Sequence, residues 1–223
     1  MAERFVVSAR KYRPATFGEL VGQEAIAATL QRSIRQGKIA HAYLFCGPRG
    51  VGKTSAARIF AKTINCLHLT PEGEACGECE ACRAFEQKQS LSVYELDAAS
   101  NNSTDDIRRL IDEVSVPPQT GKHKVYIIDE VHMLSKQAFN AFLKTLEEPP
   151  SYVVFILATT EKQMILPTIL SRCQVYDFRP IPEETIVKQL QYVAFSEHIP
   201  AEEDALAAIA RSADGGMRDA LSL

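Results

Sequence analysis

The run Gly47-Pro48-Arg49-Gly50-Val51-Gly52-Lys53-Thr54 constrains this chain more than any other stretch. It fits the pattern G-x-x-x-x-G-K-[ST], whose glycines let backbone N–H groups converge on phosphate oxygens. In that pattern the lysine reaches the outer phosphates and the hydroxyl coordinates Mg²⁺. The flanks agree with it. Residues 41–46 are apolar enough for a buried strand ending at the loop, and from Ser55 to Asn65 apolar residues recur at helical spacing (Ala56, Ile59, Phe60, Ile64). Strand, loop and helix in that order aim a helix N-terminus at an anion. The bland alternative is a glycine-rich turn that happens to carry Lys-Thr, and the flanking elements argue against it.

The pattern continues beyond the loop. Residues 91–97 read as a strand, 98–104 as a polar loop, and 105–114 as a helix with Ile107, Leu110, Ile111 and Val114 on one face. After Lys124, the four apolar residues 125–128 read as a strand buried on both faces, as in a parallel sheet. Asp129 and Glu130 follow directly, at the carboxyl end where open α/β sheets bind ligands. Asp129 is placed to hold Mg²⁺ through water, and Glu130 to orient and polarise an attacking water. A helix at 135–148, a strand at 152–157 ending in Thr159-Thr160, a short helix at 166–173 and a strand at 175–178 complete the series. A threonine hydroxyl at that strand end can reach a γ-phosphate or the attacking water. Alternation of this kind predicts an α/β fold with a mostly parallel sheet.

Four cysteines interrupt the alternation, Cys66, Cys76, Cys79 and Cys82, spaced C-x9-C-x2-C-x2-C. Two-residue gaps let neighbouring thiolates reach one small ion, and four thiolates close a tetrahedral Zn²⁺ site. A structural staple is the expectation, because the loop at 70–74 is too polar to make its own core. A redox C-x-x-C pair and chance clustering are the rivals. Compartment bears on this choice. No apolar run approaches the roughly 18 residues of a membrane span, and residues 1–4 open nothing like a signal peptide. A cytoplasmic setting, where clustered cysteines are more often ligands than disulfides, is therefore expected. Cys46 and Cys173 stand apart and are expected as small buried residues.

The N-terminal stretch carries Ala9-Arg10-Lys11-Tyr12-Arg13-Pro14, a basic run ending in a proline that cannot begin a helix there. It is either a solvated arm or a lip over a nucleotide base, with Arg13 and Pro14 near Val21. Residues 23–36 form an amphipathic helix (Ile26, Ala27, Leu30, Ile34) closed by Gly37. At Arg179-Pro180-Ile181-Pro182 the composition changes and only helical patterns follow. The expected division is a nucleotide-binding domain over 1–179, with the cysteine module at 66–82, and a small helical lid over 180–223. The lid's last helix, from Met217, has no C-cap, so the chain is expected to be a truncated part of something longer. Net charge is −3, so any nucleic-acid contact has to come from a local patch.

Taken together, these motifs resemble those of the AAA+ ATPases with a P-loop NTPase core, and within them the clamp-loader ATPases of the gamma/tau type in bacterial DNA polymerase III. The likeness runs along residues 4–223. It rests on A-R-K-Y-R-P with V-G-Q-E, G-P-R-G-V-G-K-T, the four-cysteine insertion, D-E-V-H-M-L-S, L-E-E-P-P, L-A-T-T, S-R-C and G-G-M-R-D-A. The resemblance implies a motor that couples ATP binding and hydrolysis to loading of a sliding clamp on primed DNA during replication. It implies that Gly47, Gly50, Val51, Gly52, Lys53, Thr54 and Ser55 surround the phosphates of ATP. Asp129 and Glu130 make the Mg²⁺ and water site, Thr160 is the first sensor, and Arg218 on the lid is the second. Arg172 in S-R-C corresponds to an arginine finger acting on ATP held by a neighbouring subunit. Arg13, Pro14 and Val21 correspond to the adenine wall, and the four cysteines to Zn²⁺ ligands.

The partners so implied are other clamp-loader subunits, the sliding clamp and primed DNA, with the polymerase core and helicase reached through C-terminal regions. Lys144 and Arg108 lie on helices resembling those that face duplex DNA, whereas Asn101-Asn102-Ser103 lacks the basic residues relatives often show. The collar that assembles the family's pentamer lies beyond this chain. Two other readings compete. One is a different AAA+ DNA motor such as a helicase, since D-E-V-H fits a D-E-x-H box; forked-duplex unwinding separates it. The other is a scaffold subunit that binds ATP without hydrolysing it; DNA-stimulated turnover separates that.

Overall fold

The computed structural model describes residues 6–101 and 103–223. The opening tetrapeptide, compared above with a signal peptide, and Asn102 of the polar loop lie outside them. In chain order, α1 (Ser8–Lys11) and a 3₁₀ turn (Phe17–Glu19) lead into α2 (Glu24–Arg35), β1 (Ala42–Cys46) and α3 (Lys53–Ile64). The cysteine module contributes α4 (Glu80–Glu86), followed by β2 (Val93–Asp97), α5 (Thr104–Val114) and β3 (Lys124–Asp129). Then come α6 (Lys136–Glu147), β4 (Val153–Thr159), α7 (Pro167–Leu170) and β5 (Gln174–Asp177). Three helices end the chain, α8 (Glu183–Ser196), α9 (Glu203–Ser212) and α10 (Met217–Ala220).

All five strands are parallel, in the order β2-β3-β4-β1-β5. Central strands read as unbroken apolar runs because each face meets helices, and the side chains divide by the strand period of two. Tyr43, Phe45, Ile127 and Ile156 pack with α2 and α3, and Leu44, Ile128, Phe155 and Leu157 with α5 and α6. Phe142 of α6 meets Phe155 edge-on with ring centroids 4.9 Å apart. A third, smaller core joins Ile181, Ile186, Leu190, Leu206 and Ala220 in the last three helices.

Several boundaries differ from expectation for identifiable reasons. The helix after the loop starts at Lys53 rather than Ser55, since Gly52 adopts φ 102° and delivers the chain straight into helical geometry. The basic N-terminal run does hold one helical turn, α1, placed wholly ahead of Pro14, so the proline restricts the chain without preventing that turn. Cys173 is only half-buried, because the turn after α7 leaves it near the surface, whereas Cys46 inside β1 is fully buried. Ser135 caps α6, its Oγ accepting from the Ala138 N–H at 3.2 Å. Among the described residues, no helix is long and apolar enough to cross a membrane.

Candidate nucleotide site and cysteine cluster

The parallel sheet brings the ends of β1, β3, β4 and β5 to one edge, and the phosphate-loop residues occupy that edge. Gly47 takes φ 146°, and a Cβ there would lie 2.4 Å from the Phe178 carbonyl oxygen, so only glycine fits. Phe178 N–H in turn donates to the Cys46 carbonyl at 2.7 Å. Lys53, buried, donates through Nζ to the Gly47 and Pro48 carbonyls, both at 2.7 Å. Burial holds its pKa below the usual lysine value, and the nearby Glu130 and Asp129 carboxylates oppose that shift.

Thr54 opens α3 and its hydroxyl donates to Asp129 Oδ2 at 2.7 Å, joining loop and β3 end. Asp129 Oδ1 accepts from the Glu130 N–H at 3.0 Å. Glu130 itself holds φ 48° and ψ 45°, a left-handed conformation rare outside glycine. Its Oε2 accepts from the Thr160 hydroxyl at 3.1 Å. His132 stands 3.5 Å from the same oxygen and pairs through Nδ1 with Thr159 Oγ1 at 3.0 Å. An open cleft of about 680 Å³ runs past these groups, lined by Cys46, Gly47, Glu130, Thr160, Lys162 and Asp177 among others.

Thus Gly47, Gly50, Val51, Gly52, Lys53, Thr54, Ser55, Asp129, Glu130 and Thr160 converge on one sheet edge. Arg13 reaches it from the N-terminal arm, Nε donating to Ser55 Oγ at 3.3 Å. Arg218 is carried by α10, and its N–H donates to the Gly50 carbonyl at 3.3 Å while its side chain is exposed. Arg172 stands apart, after α7, ion-paired with Glu147 at 2.7 Å and donating to the Thr168 carbonyl at 2.6 Å. Arg108, beside Asp105 at 3.4 Å, and Lys144 are exposed on α5 and α6.

Two contributors carry little signal in the sequence. His132 stands out there only as part of a helicase-like box, yet it bridges Thr159 at the end of β4 and Glu130. Gln23, buried just before α2, donates to the Arg179 carbonyl at 2.7 Å and accepts from the Arg179 N–H at 3.4 Å. It thereby fixes the segment between sheet and lid. The glutamine in V-G-Q-E is visible, but nothing local points to a partner so far along the chain.

The four module cysteines meet, with their Sγ atoms all within 4.8 Å of one another. Cys66 Sγ is 3.5 Å from Cys76 Sγ and 4.0 Å from Cys79 Sγ. A tetrahedron with Zn–S bonds of about 2.3 Å has sulfur–sulfur edges of about 3.8 Å, so the donor set fits Zn²⁺. Burial tends to raise the Cys79 pKa, but N–H groups of Leu67 and Cys82 and the thiols of Cys82 and Cys76 outweigh it and hold the thiol at about 6. Burial pushes Cys82 the other way. A low-pKa thiol inside a four-sulfur cage is primed to bind a cation.

Comparison with known proteins agrees with this architecture. Residues 22–182 match the family model described as DNA polymerase III, delta subunit, and residues 185–223 match the DNA polymerase III clamp loader subunit, ATPase lid domain. The chain is 55% identical to DNA polymerase III subunit tau of Bacillus subtilis, over 96% of this chain and 38% of that protein. It is 50% identical to the tau subunit of Escherichia coli, over 98% of this chain and 34% of that one. It thus spans about a third of the length of these two relatives. A Thermotoga maritima RuvB Holliday junction branch migration motor shares the fold, with TM-score 0.64 and 20% identity, over 94% of this chain and 63% of that one. With a five-stranded parallel sheet, a phosphate-loop motif at its strand ends and a matching lid, the chain belongs to the clamp-loader subunit family of DNA polymerase III.

Proposed function

We propose that this chain is the ATP-hydrolysing motor of a clamp loader, loading a ring-shaped sliding clamp onto primed DNA. The observation that carries the reading is the hydrogen bond from Thr54 to Asp129, with Glu130 and Thr160 paired alongside. A loop hydroxyl and a strand-end carboxylate brought together are the two protein groups that hold Mg²⁺ in such sites. Thr54 and Asp129 would hold Mg²⁺, which would supply positive charge to offset that of the phosphates. Lys53, now held by loop carbonyls, supplies the cation that moves onto the outer phosphates. Loop N–H groups and the α3 N-terminus hold the remaining oxygens.

Glu130 orients the attacking water, and Thr160 reports to it whether a γ-phosphate is present. Arg218 approaches from the lid, and Arg13, Pro14 and Val21 flank the base. Arg172 has no role in its own subunit's pocket. It leaves Glu147 to reach ATP bound by the adjoining clamp-loader subunit, so hydrolysis waits on assembly. ATP then favours an assembly that holds the clamp open, and primed DNA, met in part by Lys144 and Arg108, aligns the groups for hydrolysis and release. Zn²⁺ in the cysteine cluster has no part in the reaction and holds the 66–82 module together.

The test is Glu130→Gln in the full-length protein within its assembly. ATP affinity is expected to stay within about twofold while DNA-stimulated turnover falls by about 10² or more. Turnover that survives the substitution overturns the assignment.

A further inference from the structure

The loop that leads into Cys76 is folded back on itself. Thr70 N–H donates to the Glu74 carbonyl at 3.0 Å, Glu74 N–H donates to Thr70 Oγ1 at 3.2 Å, and Gly73 N–H donates to the Thr70 carbonyl at 2.9 Å. Arg35 of α2 closes over it, donating to the Glu72 carbonyl. From this turn the Glu74 carboxylate leaves the cysteine module altogether. It accepts from the Phe17 N–H at 3.1 Å, the Gly18 N–H at 3.3 Å and Gln31 Nε2 at 2.9 Å.

The first two donors open the 3₁₀ turn Phe17–Glu19, and such leading amides have no acceptor inside their own turn. Thr16, the residue in the capping position, makes no side-chain cap. Glu74 does that work from 57 residues away. The capped turn lies between Arg13-Pro14 and Val21. Its Phe17 and the following Leu20 are buried in the same core as Val51 of the phosphate loop. Leu20 Cδ2 comes within 3.7 Å of where a Cβ on Gly52 would stand.

We propose that Glu74 is a positioning residue for the base-side wall of the nucleotide site, and that through it the state of the cysteine cluster reaches ATP. With the four thiolates gathered on an ion, the 70–74 turn presents the carboxylate to Phe17 and Gly18. With the cluster emptied, the turn loses its anchor at Cys76, the 3₁₀ turn loses its cap, and the wall is ordered only part of the time. Apparent affinity then falls by the fraction of time the wall is formed. A glutamine cannot substitute, because three donors converge on one acceptor-only group and an amide turns one oxygen into a fourth donor. The inference rests on the nucleotide reading of residues 47–54.

The experiment measures Kd for a fluorescent adenine nucleotide and for Mg²⁺-tripolyphosphate, which lacks the base. It uses full-length wild type, Glu74→Ala, Glu74→Gln and the shorter Glu74→Asp, each with its metal and after chelation. Both Ala and Gln are expected to weaken the adenine nucleotide about tenfold and leave tripolyphosphate within about twofold, with Asp between them and wild type. Chelation is expected to weaken adenine-nucleotide binding by wild type by a similar factor and to add nothing to Glu74→Ala. Unchanged nucleotide affinity in Glu74→Ala overturns the inference, as does equal weakening of tripolyphosphate or an undiminished chelation effect in that variant. Wild type that binds neither ligand overturns the nucleotide reading and the inference with it.

Discussion

At the scale of single residues, the site combines a demanding backbone with permissive side chains. Glu130 holds a left-handed φ that costs a non-glycine residue on the order of 1–3 kcal/mol, tolerated where surroundings over-determine it. Here Asp129 Oδ1 accepts from its N–H, and the Thr160 hydroxyl donates to its carboxylate. Arg172 is the opposite case, a half-exposed side chain in a surface ion pair with Glu147. Such pairs contribute about 0–1 kcal/mol, so Arg172→Ala is expected to leave the thermal midpoint nearly unchanged. It is expected to leave ATP binding intact and to cut hydrolysis in the assembly by about 10³ or more. Equal losses of binding and turnover, compared by equilibrium titration and steady-state kinetics, contradict the assignment. That Lys53, Thr54, Asp129 and Glu130 meet at one sheet edge was legible, because contiguous motifs beside strands place them there. The left-handed Glu130, and His132 against Thr159, were not, since both arise where two strands end side by side in space.

At the scale of elements, the alternation of apolar strands and amphipathic helices was readable to within a few residues, because burial on both faces leaves little choice of residue. The short α1 was missed, since four residues carry too little periodicity to register. The gathering of the four cysteines at 66–82 was readable from spacing alone, but the module's grip on α2 and the 3₁₀ turn was not, because it runs through one glutamate with no motif. Thiol reactivity tests the module directly. Burial pushes Cys46 up to about 11 and Cys173 up to about 12, which leaves little thiolate at neutral pH. Titration of the native protein with a thiol reagent at about pH 7.5, below both of those values, is expected to be slow throughout. Chelation is expected to open Cys76 and Cys79, whose thiols are held below the usual cysteine value, to fast reaction, while burial keeps Cys66, Cys82, Cys46 and Cys173 slow. Six equally slow thiols after metal removal contradict the ligand assignment.

At the scale of the whole molecule, two cores flank the sheet and a third fills the lid. The change of composition near residue 180 announced the lid, whereas its attachment depends on Gln23 and on glycines whose neighbours are remote in sequence. A Cβ on Gly50 would lie 3.0 Å from Gly216 Cα, and one on Gly216 would lie 3.2 Å from the Arg49 carbonyl oxygen. Gly50 also holds φ 78°, so Gly50→Ala is strained as well as crowded. Gly216→Ala, at an ordinary φ of −96°, isolates the crowding, which falls on Asp219 Oδ2 at 2.8 Å and on the Ala213 and Arg49 carbonyl oxygens at 3.2 Å. It is expected to shift the lid and weaken ATP binding several-fold, by about 1 kcal/mol. Labels on α8 and α5 are expected to report a different separation in the variant, and an unaltered separation with unaltered affinity contradicts this. Loop and lid thus meet main chain to main chain, with the Asp219 carboxylate beside them, 3.2 Å from the Gly50 Cβ position and 2.8 Å from the Gly216 one. A shift of a few tenths of an ångström at the loop would be magnified along the 14 residues of α8, so the far end of that helix would swing like a pointer on a gauge.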